Sequence, residues 1–172
     1  MKLKDSLIAA TAVLIVVMLG YVWFAPAGVK QVPQLNLTTI DGSKLTLQDF
    51  RGQPVLVTFW ATTCSGCVEE MPHLVELYNK LHPKGFNLVA ISMDYDPPNQ
   101  VIALVEQRQL PYTIALDISG EASKAFGNVR LTPTNFLIDA DGTIVYQKIG
   151  DLDMPSLTAR IESLLNKQQA SL

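Results

Sequence analysis

The chain has 172 residues, 48% of them hydrophobic, with 13 Lys and Arg against 16 Asp and Glu for a net charge of -3. That length holds one well-filled domain plus an appendage and is too short for two ordinary domains. The weakly acidic balance offers nothing to a phosphate backbone, which excludes nucleic acid as a partner, and two cysteines in all exclude a four-cysteine zinc site or a multi-bridge scaffold.

Lys2 and Lys4 precede an uncharged run from Leu7 to Phe24, about the length the hydrocarbon core asks of a helix. Tyr21, Trp23 and Phe24 close the run where aromatic rings favour the membrane interface, and the leading lysines place the N-terminus in the cytoplasm. Ala25-Pro26-Ala27 is an A-x-A sequence of the kind a signal peptidase cuts, but the run is longer than an ordinary signal core and ends in bulky aromatics. A retained anchor over 1–24 is therefore expected, then a linker over 25–32 interrupted by Pro26 and Gly28, then a domain over 33–172. Anchored in the inner membrane, the domain would face the periplasm or extracytoplasmic space, where disulfides persist unless something reduces them.

Leu35 to Ile40 and Lys44 to Leu47 alternate apolar and polar residues around Asp41-Gly42, which predicts a hairpin. Val55 to Ala61 is a continuous apolar run suited to a central strand covered on both faces. Cys64-Ser65-Gly66-Cys67 follows, and apolar positions from Met71 to Leu81 then recur at helical spacing until Lys84-Gly85. Further strands are predicted over 87–93 and 113–116, helices over 101–108 and 121–126, a second hairpin over 134–147 around Asp141-Gly142, and a closing helix over 154–165. Strands alternating with helices and ending in a hairpin imply an α/β fold with a mixed sheet and helices on both faces.

Two thiols three positions apart can close a disulfide within one helical turn. A ring that small constrains little of the unfolded chain, so a reversible Cys64-Cys67 dithiol fits better than a static cross-link. The strand-to-helix junction sets Cys64 at a helix N-terminus, where unpaired N–H groups and the macrodipole favour the thiolate. Cys64 is thus the expected nucleophile. Cys67, one turn in and better shielded, is the expected resolving thiol that attacks a mixed disulfide formed at Cys64.

Val57-Thr-Phe-Trp-Ala61 before C-x-x-C, Pro72 five residues after the second cysteine, and Leu131-Thr132-Pro133-Thr134 before a late strand together resemble the thioredoxin superfamily. The extra strand-helix unit from about Leu88 to Asp117, the N-terminal hairpin and the expected transmembrane helix narrow the resemblance to the TlpA/ResA-like extracytoplasmic thiol-disulfide oxidoreductases, from about Pro33 to Leu165. That resemblance implies a cis bond before Pro133, with the backbone of Thr132 pairing with an extended client segment. Trp60 is expected to pack beside the site and is grouped with Thr132 and Pro133 on the client side. The resemblance also associates Glu70 with tuning the cysteines. Its place three residues after Cys67 puts it within reach of the dithiol's underside for proton transfer, while Glu69 fits a solvated first-turn glutamate.

Departures are local. The buried aspartate of cytoplasmic thioredoxins falls at Thr58, a threonine stands at position 63 where thioredoxins usually have tryptophan, and Ser65-Gly66 lacks the proline common between family cysteines. The last of these leaves the redox poise open. The implied partners are extracytoplasmic protein clients with cysteines, in cytochrome c or metal-centre maturation, an upstream membrane thiol electron donor, and the membrane itself. No cofactor is expected. His73 and His82 lie apart from the cysteines on the helix, and Met93-Asp94-Tyr95-Asp96 is read as a strand end. Two alternatives differ in class. Thiol peroxidases on related folds place a threonine three residues before their cysteine, where Ala61 stands here, and Sco-type copper chaperones use C-x-x-x-C with a distal histidine, whereas no histidine follows His82.

Overall fold

Seven strands make one mixed sheet in the order β2-β1-β5-β4-β3-β6-β7. They are β1 (Asn36–Thr39), β2 (Lys44–Thr46), β3 (Val55–Trp60), β4 (Asn87–Ser92), β5 (Thr113–Leu116), β6 (Thr134–Ile138) and β7 (Ile144–Ile149). The α-helices of the domain are, among the described residues, α1 (Ser65–Leu81), α2 (Pro98–Arg108), α3 (Glu121–Ala125) and α4 (Met154–Ala170). These coordinates are a computed structural model that describes residues 31–170, together with 11, 13–16 and 18. The described part of the expected anchor, 11, 13–16 and 18, is helical; the remainder of 1–24, most of the linker and the last two residues lie outside the described residues. Among the described residues no helix is long and apolar enough to cross a membrane.

The sheet centre is parallel, β3 to β4 and β4 to β5, and antiparallel pairings flank it. All six residues of β3 are buried, as a strand covered on both faces demands. Alternation along β3 sends Leu56 and Trp60 to one face, where they meet Leu74, Leu77 and Leu81 of α1, Val101 and Val105 of α2, and Leu157, Ile161 and Leu165 of α4. Val55, Val57 and Phe59 face the other side, against Phe126, Ala122, Phe136 and Leu37. The N-terminal hairpin pairs β1 with β5 and extends the sheet by two strands.

Within the domain the predicted strands and helices form, with shifted ends. Helix α2 starts at Pro98 rather than Val101, because a proline at the first helical position has its φ already set and loses no bond by lacking an N–H. Helix α4 continues past Leu165 to Ala170. Strand β7 runs on to Ile149, and the Gly150 N–H then donates to the Pro133 carbonyl at 2.8 Å, tying the end of the second hairpin to the start of β6.

Candidate active site

Strand β3 delivers the chain to the carboxyl end of the parallel strands, where ligand sites of open α/β sheets gather. The Met93 N–H donates to the Trp60 carbonyl at 3.0 Å and closes the ladder there. After Ala61 the backbone turns, and Cys64 adopts extended angles as the N-cap of α1. Its sulfur accepts the Cys67 N–H at 3.2 Å, so one of the first-turn amides that a helix leaves unpaired points at that sulfur. Cys64 and Cys67 form a disulfide with Cα atoms 5.3 Å apart, inside the ordinary range. The two sulfurs differ in environment. Cys64 is half-buried, while Cys67 is 4% exposed and packs with Trp60, Met71 and Leu74.

Glu70 lies one turn further along α1 and is 8% exposed. Its Oε1 accepts the Leu152 N–H at 2.8 Å, across 82 residues of chain. Burial holds the carboxyl above its ordinary value of 4.5. The Leu152 N–H pulls it part of the way back, the Asp151 carboxylate adds to the rise, and His73 opposes it. A cavity of about 10 Å³ lies between Glu70 and Cys67, bordered also by Thr58, Trp60, Tyr112 and Pro133. Burial, followed by the charge of Glu70, pushes the Tyr112 phenol far above its usual range. Glu70 and Cys67 thus line one small cavity, an arrangement that suits a carboxyl to exchange a proton with the resolving thiol.

The Thr132–Pro133 bond is cis, as the resemblance implies. Pro133 is buried against the cavity, Thr132 is half-buried and Leu131 is exposed beside them. The cysteine pair, Glu70 and the 132–133 loop therefore converge. Trp60 packs in the core beside the site, as expected; at 3% exposure it fills the space next to Cys67, which leaves it almost no surface for the client side with which it is grouped. Position 58 carries no acid, and the acidic group beneath the site comes from α1. His82 is engaged elsewhere, stacked on Tyr78 with its Nδ1 2.9 Å from the Phe86 carbonyl.

Sequence reading missed three groups here. Asp96 is buried in the loop after β4 and accepts both the Thr62 N–H and the Thr62 hydroxyl, each at 2.6 Å, gripping the segment that carries Cys64. Tyr112 lines the cavity. The loop over 150–153 supplies the Leu152 N–H and sets Asp151 beside Gly66. The one sequence signal for any of them was Asp96 standing before Pro97-Pro98, which marks a chain break and not a partner.

The Redoxin family model matches residues 26–163. Over 122 residues the chain is 38% identical to the thiol-disulfide oxidoreductase ResA of Bacillus thuringiensis subsp. konkukian, covering 71% of this chain and 69% of that protein. The chain belongs to the Redoxin family, in the ResA-like branch of the thioredoxin superfamily. Similarity extends to nearly full length with ResA of Geobacillus kaustophilus, at 30% identity over 95% of this chain and 99% of that one. In structure the chain resembles StoA from Bacillus subtilis, with a TM-score of 0.64 and 25% identity over 74% of this chain and 96% of that one. As a ResA-like protein with its cysteine pair at the helix end, it is a thiol-disulfide oxidoreductase.

Proposed function

We propose that the protein is a membrane-tethered reductase of disulfides in extracytoplasmic protein clients. The observation that carries the reading is the asymmetry of the pair: Cys64 is half-buried at a helix N-terminus and its sulfur accepts an amide, while Cys67 is buried one turn in. In the reduced enzyme the Cys64 thiolate attacks one sulfur of a client disulfide, forming a Cys64-client bond and releasing the other client sulfur as a thiolate. Cys67, its proton taken by the Glu70 carboxylate, then attacks the Cys64 sulfur. The Cys64-Cys67 bond forms, the second client thiolate leaves, and the client has gained two electrons. The Thr132 backbone beside Pro133 holds the client segment extended during the attack. A thiol donor in the membrane returns two electrons to the pair.

Location and clients rest on the sequence. Val13, Leu14, Ile15, Val16 and Met18 are helical, and each is more than half exposed, an apolar surface that a bilayer would cover. The leading lysines orient the domain outward. Maturation of cytochrome c or a metal centre is the client pathway that the family resemblance suggests.

The test is a trapping experiment. Cys64→Ser abolishes client reduction, and Cys67→Ser accumulates a mixed disulfide between Cys64 and client. Client reduction that persists in both variants would remove the reading. Peroxide consumption needing Cys64 alone would point to a peroxidase.

A further inference from the structure

Gly66 is the second residue of α1, and the loop over 150–153 runs across it. A Cβ placed on Gly66 would stand 3.3 Å from Asp151 Oδ1, closer than side chains comfortably pack, so the missing side chain is what lets that carboxylate approach the dithiol turn. The loop is held on both sides of Asp151. The Gly150 N–H donates to the Pro133 carbonyl and the Leu152 N–H to Glu70 Oε1, each at 2.8 Å, which fixes the backbone of Asp151 beside the helix end. From this geometry we infer that Asp151 is a charge-tuning residue: held against the glycine between the cysteines, its carboxylate disfavours the Cys64 thiolate and makes the dithiol a stronger reductant.

The sign follows from where charge develops. The oxidised pair is neutral, whereas the reduced pair carries a thiolate at Cys64, stabilised by the first-turn amides of α1. A carboxylate against the same turn competes for that helix end and repels the thiolate. Destabilising the reduced form lowers the reduction potential. Three carboxyls bear on this end of the helix: Glu70 from α1, Asp96 through Thr62, and Asp151 from the loop. Of these Asp151 alone is exposed, so its charge can be removed without opening the core. The sequence left the poise of the Ser65-Gly66 dipeptide open; the geometry makes Gly66 the gap that admits an acid from elsewhere in the chain.

The inference rests on the reading of Cys64 as the attacking thiolate. It is tested with the intact domain by equilibrating wild type and Asp151→Asn against glutathione at pH 9 and by following the pH dependence of Cys64 alkylation. The variant should show an exchange equilibrium about threefold more favourable to the reduced protein, which is about 14 mV, with Cys64 ionising at correspondingly lower pH. Asp151→Lys should move both further in the same direction. The difference should shrink in 1 M salt, because the charge is exposed. The shift should survive in Glu70→Gln, separating a direct action on Cys64 from one relayed through Glu70. An unchanged or lowered potential in Asp151→Asn, or a shift indifferent to salt, would overturn the inference. The wild-type potential decides the reductase reading separately: a value more oxidising than the glutathione couple removes that reading and leaves the sign of the Asp151→Asn shift standing.

Discussion

The Leu152 N–H donates to Glu70 Oε1 at 2.8 Å, joining the dithiol helix to the loop that also carries Asp151 and binds Pro133. That bond gives the buried carboxyl a donor, yet it does not cancel the cost of burying it, and its ionisation stays shifted upward. An acid with a raised folded-state value takes up protons on folding. Its contribution to stability is fully present below about pH 4.5 and is lost as the pH climbs through the raised value.

Glu70→Gln removes this loss. The amide oxygen still accepts the Leu152 N–H, so the loop stays docked, and no charge needs burying. The melting temperature of the variant relative to wild type, both oxidised, should therefore rise as the pH climbs from about 4.5 and level off once the raised folded-state value is passed. A gap that stays constant over that range would mean that Glu70 does not ionise at a cost. In exchange kinetics the same variant should leave the first attack by Cys64 nearly unchanged and slow the release of client by roughly 100-fold, the low end of what a positioned proton carrier contributes. Stopped-flow separation of the two phases reads this directly, and equal slowing of both would assign Glu70 a merely structural part.

Asp96 makes a contrasting prediction, because its two bonds fix backbone rather than protons. Asp96→Ala leaves the Thr62 N–H and hydroxyl without their acceptor in a partly buried site, at a cost of about 1–3 kcal/mol. Thr62→Val removes only the hydroxyl bond and should cost about 1 kcal/mol. Denaturant unfolding of both variants and of the double variant checks the claim. The double variant should fall well short of the sum, since the two changes break a shared pair. Full additivity would show that the two side chains do not act on each other.

How much of this was legible beforehand depended on distance along the chain. The dithiol, its place at a strand-to-helix junction and the position of Glu70 are local, carried by spacing over seven residues, and each could be placed from helical geometry. Leu131-Thr132-Pro133-Thr134 was recognisable as a motif, though its approach to the dithiol came from resemblance and not from any periodicity. What stayed hidden are pairings between distant segments: Thr62 with Asp96 across 34 residues, Glu70 with Leu152 across 82, and Gly66 with Asp151. One member of each pair stands in a loop, where no hydrophobic period encodes a partner. Trp60 went the other way, because an aromatic beside a reactive pair reads equally as floor or as surface until its burial is known.

The two faces of the sheet make a final separation between stability and chemistry. Phe126 follows α3 on the face away from the dithiol, 2% exposed, with ring centroids 5.3 Å from Phe59 and 4.9 Å from Phe136. Phe59 belongs to β3, the strand that carries the chain to Cys64, so damage here tests whether the site depends on the packing behind it. Phe126→Ala empties a ring-sized volume in close-packed surroundings and should cost about 3–5 kcal/mol, a fall in melting temperature of roughly 10 °C or more. Phe59 remains held by the hydrogen bonds of β3 to β4 and β6 on either side, and the dithiol faces the opposite layer. The variant should therefore keep the wild-type reduction potential and exchange rate at temperatures well below its lowered midpoint. A potential that moved with Phe126→Ala would show that the far layer shapes the site, and would require the tuning assigned to local charges to be measured against that background.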